Sequence, residues 1–544
     1  MNKTLVFAVI ALTAASMSAQ SAEHDNDGRF KFKNNTLVVS RNVYSGTAAT
    51  VTVGETLPPG CVAGTVTLPL LAGGTTTVKV KCAKATADGT YPNVFTNANA
   101  DGNFGVSSQI FLDNLTTEGK QLGTLAVPAD QIITSFSSKS EMALNRSLDG
   151  KSITFSGYRG GPGFPTAINL IDVSNSNTPG VIDPTNPDVA QYFRAIGEVD
   201  ASGNIQVTHG NFFSGDNGRA AIKANGLYYT TGNSNNGGLS AAQLTTTQVG
   251  INLITSTGVG LLVPGQSALV PPNIAKIGDF EVTQVGYTKA DKPGKDNNFR
   301  GLTIFNNTLF VTKGSGSNGI NTVYQVGNTG VLPSGSAAEL ASVPITILPG
   351  FPTSLASGVD QQGNPAPAMF PFGIWFADAN TLYVCDEGDG TLVSPAVNGN
   401  VADAATQATA GVQKWVRTDG IWHRAYVLQN GLNIGIPYSV PDYPAALSPA
   451  TSGCRNITGQ VNGDGTADIF AVTSTLSAND DVGADPNKLV KVTDLVRATT
   501  LPQGNEKHNG NAPLGTFVTL RAAQAGEVLR GVAFAPHDDS DNDQ

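Results

Sequence analysis

"GEVLRGVAFAP" (Gly526–Pro536) and "FKFKNNTLVVSRN" (Phe30–Asn42) lie at opposite ends of the 544-residue chain. Leu529–Pro536 reads as an apolar strand followed by acid where a turn and a partner strand belong. Phe30–Asn42 reads as a second strand with no first strand before it. Each end lacks what the other supplies, so the two are expected to pair and complete one unit.

The unit recurs. A short apolar strand, a tight polar turn and a second strand ending in Thr or Ser appear in "EMALNRSLDGKSITFSG" (Glu141–Gly157), "RAAIKANGLYYTTG" (Arg219–Gly232) and "RGLTIFNNTLFVTKG" (Arg300–Gly314). They appear again in "FGIWFADANTLYVCDEG" (Phe372–Gly388) and "RNITGQVNGDGTADIFAVTS" (Arg455–Ser474). Asn-Asn, Asn-Gly and Asp-Gly tolerate the positive φ that hairpin turns demand, and alternation of apolar and polar residues marks the flanks as strands. Copies begin about 75 residues apart, long enough for four strands. Segments such as Asn321–Gly330, Gly411–Leu432 and Asn487–Val496 supply third and fourth strands. A four-stranded unit at this period predicts an all-β protein, a β-propeller closed by pairing of its N- and C-terminal strands, which removes exposed sheet edges. A β-sandwich would use the same strands without the period. Counting a weaker unit at Asn93–Asn114 gives seven blades, with six and eight left open by its poor patterning.

The repeat is similar to that of secreted propellers of the NHL and YVTN-like kind, across essentially the whole chain after its leader. That resemblance implies the fold and leaves activity open, because propellers host enzymes and binding scaffolds alike.

Composition supports the class. Gly is 62 of 544 residues and charged residues are 14%, which fits a turn-rich β protein. Residues 1–22 carry Lys3, an apolar run from Leu5 to Ala15 and a small-residue stretch, the pattern of a secretory signal. A single domain over 23–536 and a solvated acidic tail over 537–544 are expected, in a secreted or periplasmic monomer without a transmembrane segment. A net charge of −10 with no basic run argues against nucleic acid as a partner. Export makes Cys61, Cys82, Cys385 and Cys454 disulfide partners: Cys61 with Cys82 across a hairpin, and Cys385 with Cys454 between adjacent blades.

Propeller geometry gathers the starts of first strands and the ends of second strands at one mouth. That mouth is expected to hold Arg219, Arg300, Arg455 and Arg530, with Tyr158, Arg159, Asn233 and Lys313. A ring of guanidinium groups suits carboxylates or phosphates; equally, a repeated Arg can tie neighbouring blades together. Asp386 and Glu387 in "CDEGDG" are the candidate acid–base pair, and a solvated acidic turn is the plainer reading. Asn462, Asp464 and Asp468 in "QVNGDGTAD" resemble the calcium loop of FG-GAP-type propellers, with Gln460 replacing a charged ligand, so Ca²⁺ is the one cofactor considered. The expected function is glycan or protein binding through the mouth; the alternative is a lyase or hydrolase acting on an acidic polysaccharide.

Overall fold

The computed structural model describes residues 30–44, 51–57, 62–69, 75–80, 82–95, 105–160, 193–210, 212–234, 250–255, 274–291, 296–314, 318–388, 408–479, 481–502 and 513–538. The leader, Cys61, Asp389 and the end of the tail lie outside them.

The fold is an all-β propeller arrangement of antiparallel four-stranded sheets. Four sheets stand separately. Blade 3 is Gly218–Ala224, Leu227–Gly232, Gly250–Thr255 and Ile274–Ile277. Blade 4 is Leu302–Phe305, Thr308–Lys313, Thr322–Val326 and Ile345–Ile347. Blade 5 is Pro371–Asp378, Thr381–Asp386, Gly411–Thr418 and Ile421–Leu428. Blade 6 is Ala450–Val461, Thr466–Leu476, Lys488–Leu495 and Val518–Ala522.

The fifth sheet has nine strands and contains two more meanders. Blade 1 takes Glu527–Phe534 from the C-terminal end and Leu37–Val43 from the N-terminal end, followed by Ser107–Leu115 and Gln121–Ala126. Blade 2 is Asn145–Arg146, Ser152–Arg159, Arg194–Asp200 and Ile205–Gly210. Strand Ile132–Ser135 pairs with both Ser107–Leu115 and Ser152–Arg159, fusing the two blades into one sheet.

The pairing of the two ends is therefore present, with Val39 opposite Val532 and Val43 opposite Glu527. The described residues give six four-stranded units rather than the expected seven. The stretch read as a seventh blade contributes Ser107–Leu115, the third strand of blade 1. What precedes it is an insertion between the second and third strands of that blade, carrying two small two-stranded sheets. Its strands mimic a blade locally, but they pack as a satellite: Leu57, Val94 and Phe95 cluster with Phe136 and Ala484.

Turn chemistry behaves as read. Asn306 and Asn307 take φ of 46° and 55°, the paired positive values of a type I′ turn. Inner strands touch in ring order, blade 1 to blade 6 and back to blade 1. Glycine permits that closeness. A Cβ on Gly301 would stand 2.1 Å from the Phe372 carbonyl oxygen, and one on Gly531 would stand 2.4 Å from the Leu144 nitrogen.

Cys385 on the second strand of blade 5 is bonded to Cys454 on the inner strand of blade 6, with Cα atoms 5.2 Å apart. Closing a loop of 69 positions is worth about 4 kcal/mol in the chain-entropy model. Cys82 is also disulfide-bonded.

Candidate functional site at the channel mouth

Arg219 and Arg300 stand at or just before the inner strands of blades 3 and 4, as the repeat predicts. Arg455 and Arg530 do not start theirs. The blade 6 strand begins at Ala450 and the blade 1 strand at Glu527, so both arginines sit within the strand. Two bulges, at Thr451/Gly453 and Cys454/Asn456, shift the blade 6 register on the way to Arg455. The sequence could not place this offset, because the residues added before the arginine are as strand-like as those after it.

Three of the four arginines are held by protein groups. Arg219 is 2% exposed; its Nη1 donates to Asn298 Oδ1 at 2.6 Å and to the Phe299 carbonyl at 2.9 Å, while Nε meets Ser140 Oγ at 3.4 Å. Arg530 donates through Nη2 to the carbonyls of Phe136 and Gly483. Arg455 donates through Nε to Glu387 Oε2 at 2.8 Å. These are ties between blades.

Arg300 differs. Its side chain makes no hydrogen bond or ion pair among the described residues, its Nε is buried without a partner as that of Arg530 is, and its Cζ lies 6.0 Å from the centre of the Phe372 ring. Beside it stands Lys139, a residue the repeat did not single out. Lys139 is half-buried, forms no hydrogen bond or ion pair among the described residues, and lies within electrostatic reach of Arg455, Glu387, Arg300 and Asp481. Burial, then Arg455, push its ammonium below the ordinary lysine range. Burial likewise lowers Arg300. Lys139 escaped notice because it lies on the irregular approach to the short inner strand Asn145–Arg146, where no strand pattern marks a position.

The two candidate acids have separate roles. Asp386 is fully buried: its carboxylate accepts from the amides of Phe370 and Gly388, both at 2.9 Å, and from Gln413 Nε2 at 2.7 Å. Burial pushes its carboxyl up to about 7 while those amides draw it down. It shapes the turn. Glu387 is half-buried and faces the cations; burial alone would raise it, but Arg455, Arg300 and Lys139 hold it below the ordinary glutamate range.

The remaining expected residues scatter around this centre. Tyr158 donates to Glu141 Oε1 at 2.6 Å beneath the Arg194 guanidinium. Asn233 donates to Asp216 Oδ2 at 2.6 Å. Lys313 is fully buried, donates to Asn321 Oδ1 at 3.1 Å, and is pushed down to about 7 by burial and then by Arg300. Arg159 is half-buried at the end of the second strand of blade 2. The calcium candidates lie on the hairpin between the first two strands of blade 6, away from this cluster. Asp464 Oδ1 accepts from the Thr466 amide and hydroxyl, and Asp468 pairs with Lys491 at 3.0 Å. No group of three metal-ligating side chains occurs among the described residues.

Two buried carboxyls complete the mouth. Asp481, 4% exposed, has neither oxygen hydrogen-bonded among the described residues, and Glu141, 3% exposed, has Oε2 without a partner. Burial, then Asp485, push Asp481 well above the ordinary range, and burial pushes Glu141 up to about 7. Insertion residues enclose the loop that carries Asp481: Tyr91 donates to the Ala484 carbonyl and Asn479 to that of Pro92.

No family model matches the chain, and no curated protein does. Among solved structures, the parainfluenza virus 5 hemagglutinin-neuraminidase ectodomain is 9% identical, covering 91% of this chain and 89% of that one, with a TM-score of 0.30. A chain from a Saccharomyces cerevisiae assembly of Dbp5 with Nup159 and Gle1 is 8% identical, covering 73% and 91%, with a TM-score of 0.28. Synechocystis apocarotenoid oxygenase is 9% identical with a TM-score of 0.21; the match covers 88% of this chain and 66% of the oxygenase. At these values the likenesses carry no argument about activity. Among the described residues no helix is long and apolar enough to cross a membrane.

Proposed function

We propose that this chain is an exported, single-domain binding or scaffold propeller that recognises a ligand, a glycan before a protein, at the charged mouth of its channel. One observation carries the reading: the Arg300 side chain makes no hydrogen bond or ion pair among the described residues, while the other three ring arginines are tied to protein groups. A cation kept half-buried without a partner costs stability, and a ligand that pairs with it recovers that cost. The disulfide between blades 5 and 6 fits an oxidising compartment.

A second reading, a lyase or hydrolase on an acidic polysaccharide, rests on Glu387, whose carboxylate faces the cations. Asp386 offers it no partner acid, since Asp386 is consumed by the turn.

A glycan array probed with the mature protein, paired with a reducing-end assay on polyuronates with and without Ca²⁺, tests both. Retention of glycans without new reducing ends is expected. Turnover that disappears in Glu387→Gln would replace the binding reading with the enzymatic one, and an array without any retained glycan would overturn the glycan assignment.

A further inference from the structure

Lys313 is the last residue of the second strand of blade 4, and Asn321 immediately precedes the third. The register sets Lys313 opposite Thr322, so the two side chains meet across neighbouring strands. Lys313 Nζ donates to Asn321 Oδ1 at 3.1 Å, which sets the nitrogen against the amide carbon one bond away. Asp296 stands beside them. Its Cα and the Lys313 Cε lie 3.0 Å and 3.1 Å from one point, the place a Cβ on Gly319 would take. Asp296 Oδ2 accepts from the Val282 amide at 3.2 Å, which orients the carboxylate. All three residues are buried, and the chain neighbours Val282 and Ile320 belong to an apolar cluster with Phe280, Phe299 and Tyr324. The Tyr324 hydroxyl donates to the Ile320 carbonyl at 2.7 Å and so holds the approach to Asn321.

As a hydrogen bond alone this contact leaves two costs standing. Burial and then Arg300 push the Lys313 ammonium down to about 7, so near neutral pH much of it is free amine, a nucleophile. Asn321 Nδ2 is a buried donor with no partner among the described residues. A covalent bond between the two groups removes both costs, because it turns the amine into a neutral amide and expels the orphaned nitrogen.

We infer that Lys313 and Asn321 are joined by an intramolecular isopeptide bond, formed inside the folded chain with Asp296 carrying the proton. The Nζ lone pair makes the new bond to Asn321 Cγ. One Nζ proton passes to the Asp296 carboxylate and from there to Nδ2, the Cγ–Nδ2 bond breaks, and ammonia leaves. Nothing is oxidised or reduced, and Asp296 ends as it began. Groups held in contact with water excluded gain the effective concentration that such an amide exchange requires. The bond staples the turn between the second and third strands of blade 4, and titration of Lys313 then belongs only to chains in which it has not formed.

Peptide mass spectrometry of the reduced wild-type protein tests this. Trypsin cuts after a free Lys313 and releases Gly301–Lys313. The bond blocks that cut, so this peptide is expected to be missing. Chymotrypsin, cutting after Phe310 and Tyr324, is expected to release Val311–Tyr324 lighter by one ammonia, with no backbone fragments between Lys313 and Asn321 because the ring holds them. Full recovery of Gly301–Lys313, or Val311–Tyr324 at its sequence mass, would overturn the bond. An ammonia loss accompanied by ordinary fragments between the two residues would mark a succinimide at Asn321 and overturn it as well. Asp296→Asn, shown to be folded by thermal melting, is expected to slow linkage at least about tenfold, the low end of what a positioned acid–base group supplies, and to restore the free tryptic peptide. Complete linkage in that variant would remove Asp296 from the proton path.

Discussion

Arg41 Nη1 lies 2.7 Å from Glu527 Oε1, joining residues 486 positions apart across the strand pair that closes the ring. The same guanidinium reaches Asp113 on the third strand of blade 1 at 2.7 Å, and Asp113 also meets Arg521, on the outermost strand of blade 6, at 2.8 Å. Asp113 is fully buried, so its two arginines compensate a charge that solvent cannot reach. One network thus joins both ends of the chain to the last blade.

Deleting residues 527–544 removes the inner strand of blade 1 and uncovers Leu37–Val43 as an edge. Loss of a single cooperative melting transition is expected. Truncation after Asp538 should leave the melting temperature unchanged, because the His537 amide to Gly150 contact and the Lys31–Asp538 pair are both kept. Equal stability of the two truncations would refute closure as a source of stability. Arg41→Ala should cost about 3 kcal/mol by leaving Asp113 half-compensated, read from urea unfolding.

Between blades 5 and 6, Lys414 and Asp494 are both fully buried, 3.0 Å apart, and the hydroxyls of Tyr383 and Tyr426 donate to the same carboxylate. Asp494→Ala strands a buried ammonium and should cost about 3–5 kcal/mol. The double variant Lys414→Met, Asp494→Leu should recover most of that loss, since no charge is then left unpaired. A double variant as unstable as the single one would show that packing, not charge, dominates this interface.

Stability should pass through a minimum near neutrality. Burial holds the Glu141 carboxyl up at about 7 in the folded chain, and the Asp485 carboxyl likewise. Between about pH 4 and 7 the unfolded chain has released these protons and the native state has not, so stability falls as pH rises. Lys313 is depressed to about 7, so between 7 and about 10.4 the unfolded chain holds a proton the native state has lost, and stability rises with pH. Chemical denaturation from pH 4 to 10 reads both limbs. Glu141→Gln should flatten the acid limb and Lys313→Met the alkaline one; unchanged slopes would show that other groups set the profile.

Local physics made much of this fold legible. Alternating polarity and turns such as Asn306-Asn307 are properties of neighbouring residues, so hairpins, period and the pairing of Leu37–Val43 with Glu527–Phe534 follow from short stretches. The Cys385–Cys454 bond was legible as well, because the end of one blade's second strand and the inner strand of the next blade lie side by side. The blade count did not follow. The insertion before Ser107–Leu115 has strands of its own, and whether strands extend a ring or decorate it depends on what they pack against.

The site divides along the same line. The repeat marked four arginines as strand starts; Arg219 and Arg300 stand there, while Arg455 and Arg530 sit inside strands that begin earlier, at Ala450 and Glu527. Which of them would be tied down was invisible: Arg219 meets Asn298 on the segment leading into the next blade, Arg530 meets the carbonyl of Gly483, and the Arg300 side chain makes no such bond among the described residues. Lys139 and Asp481 come from irregular segments that carry no strand signal, and ring closure alone brings them to the arginines. Charge pairing and burial depend on distance in space, and in a closed ring the nearest neighbour of a side chain is often about 75 or more residues away along the chain.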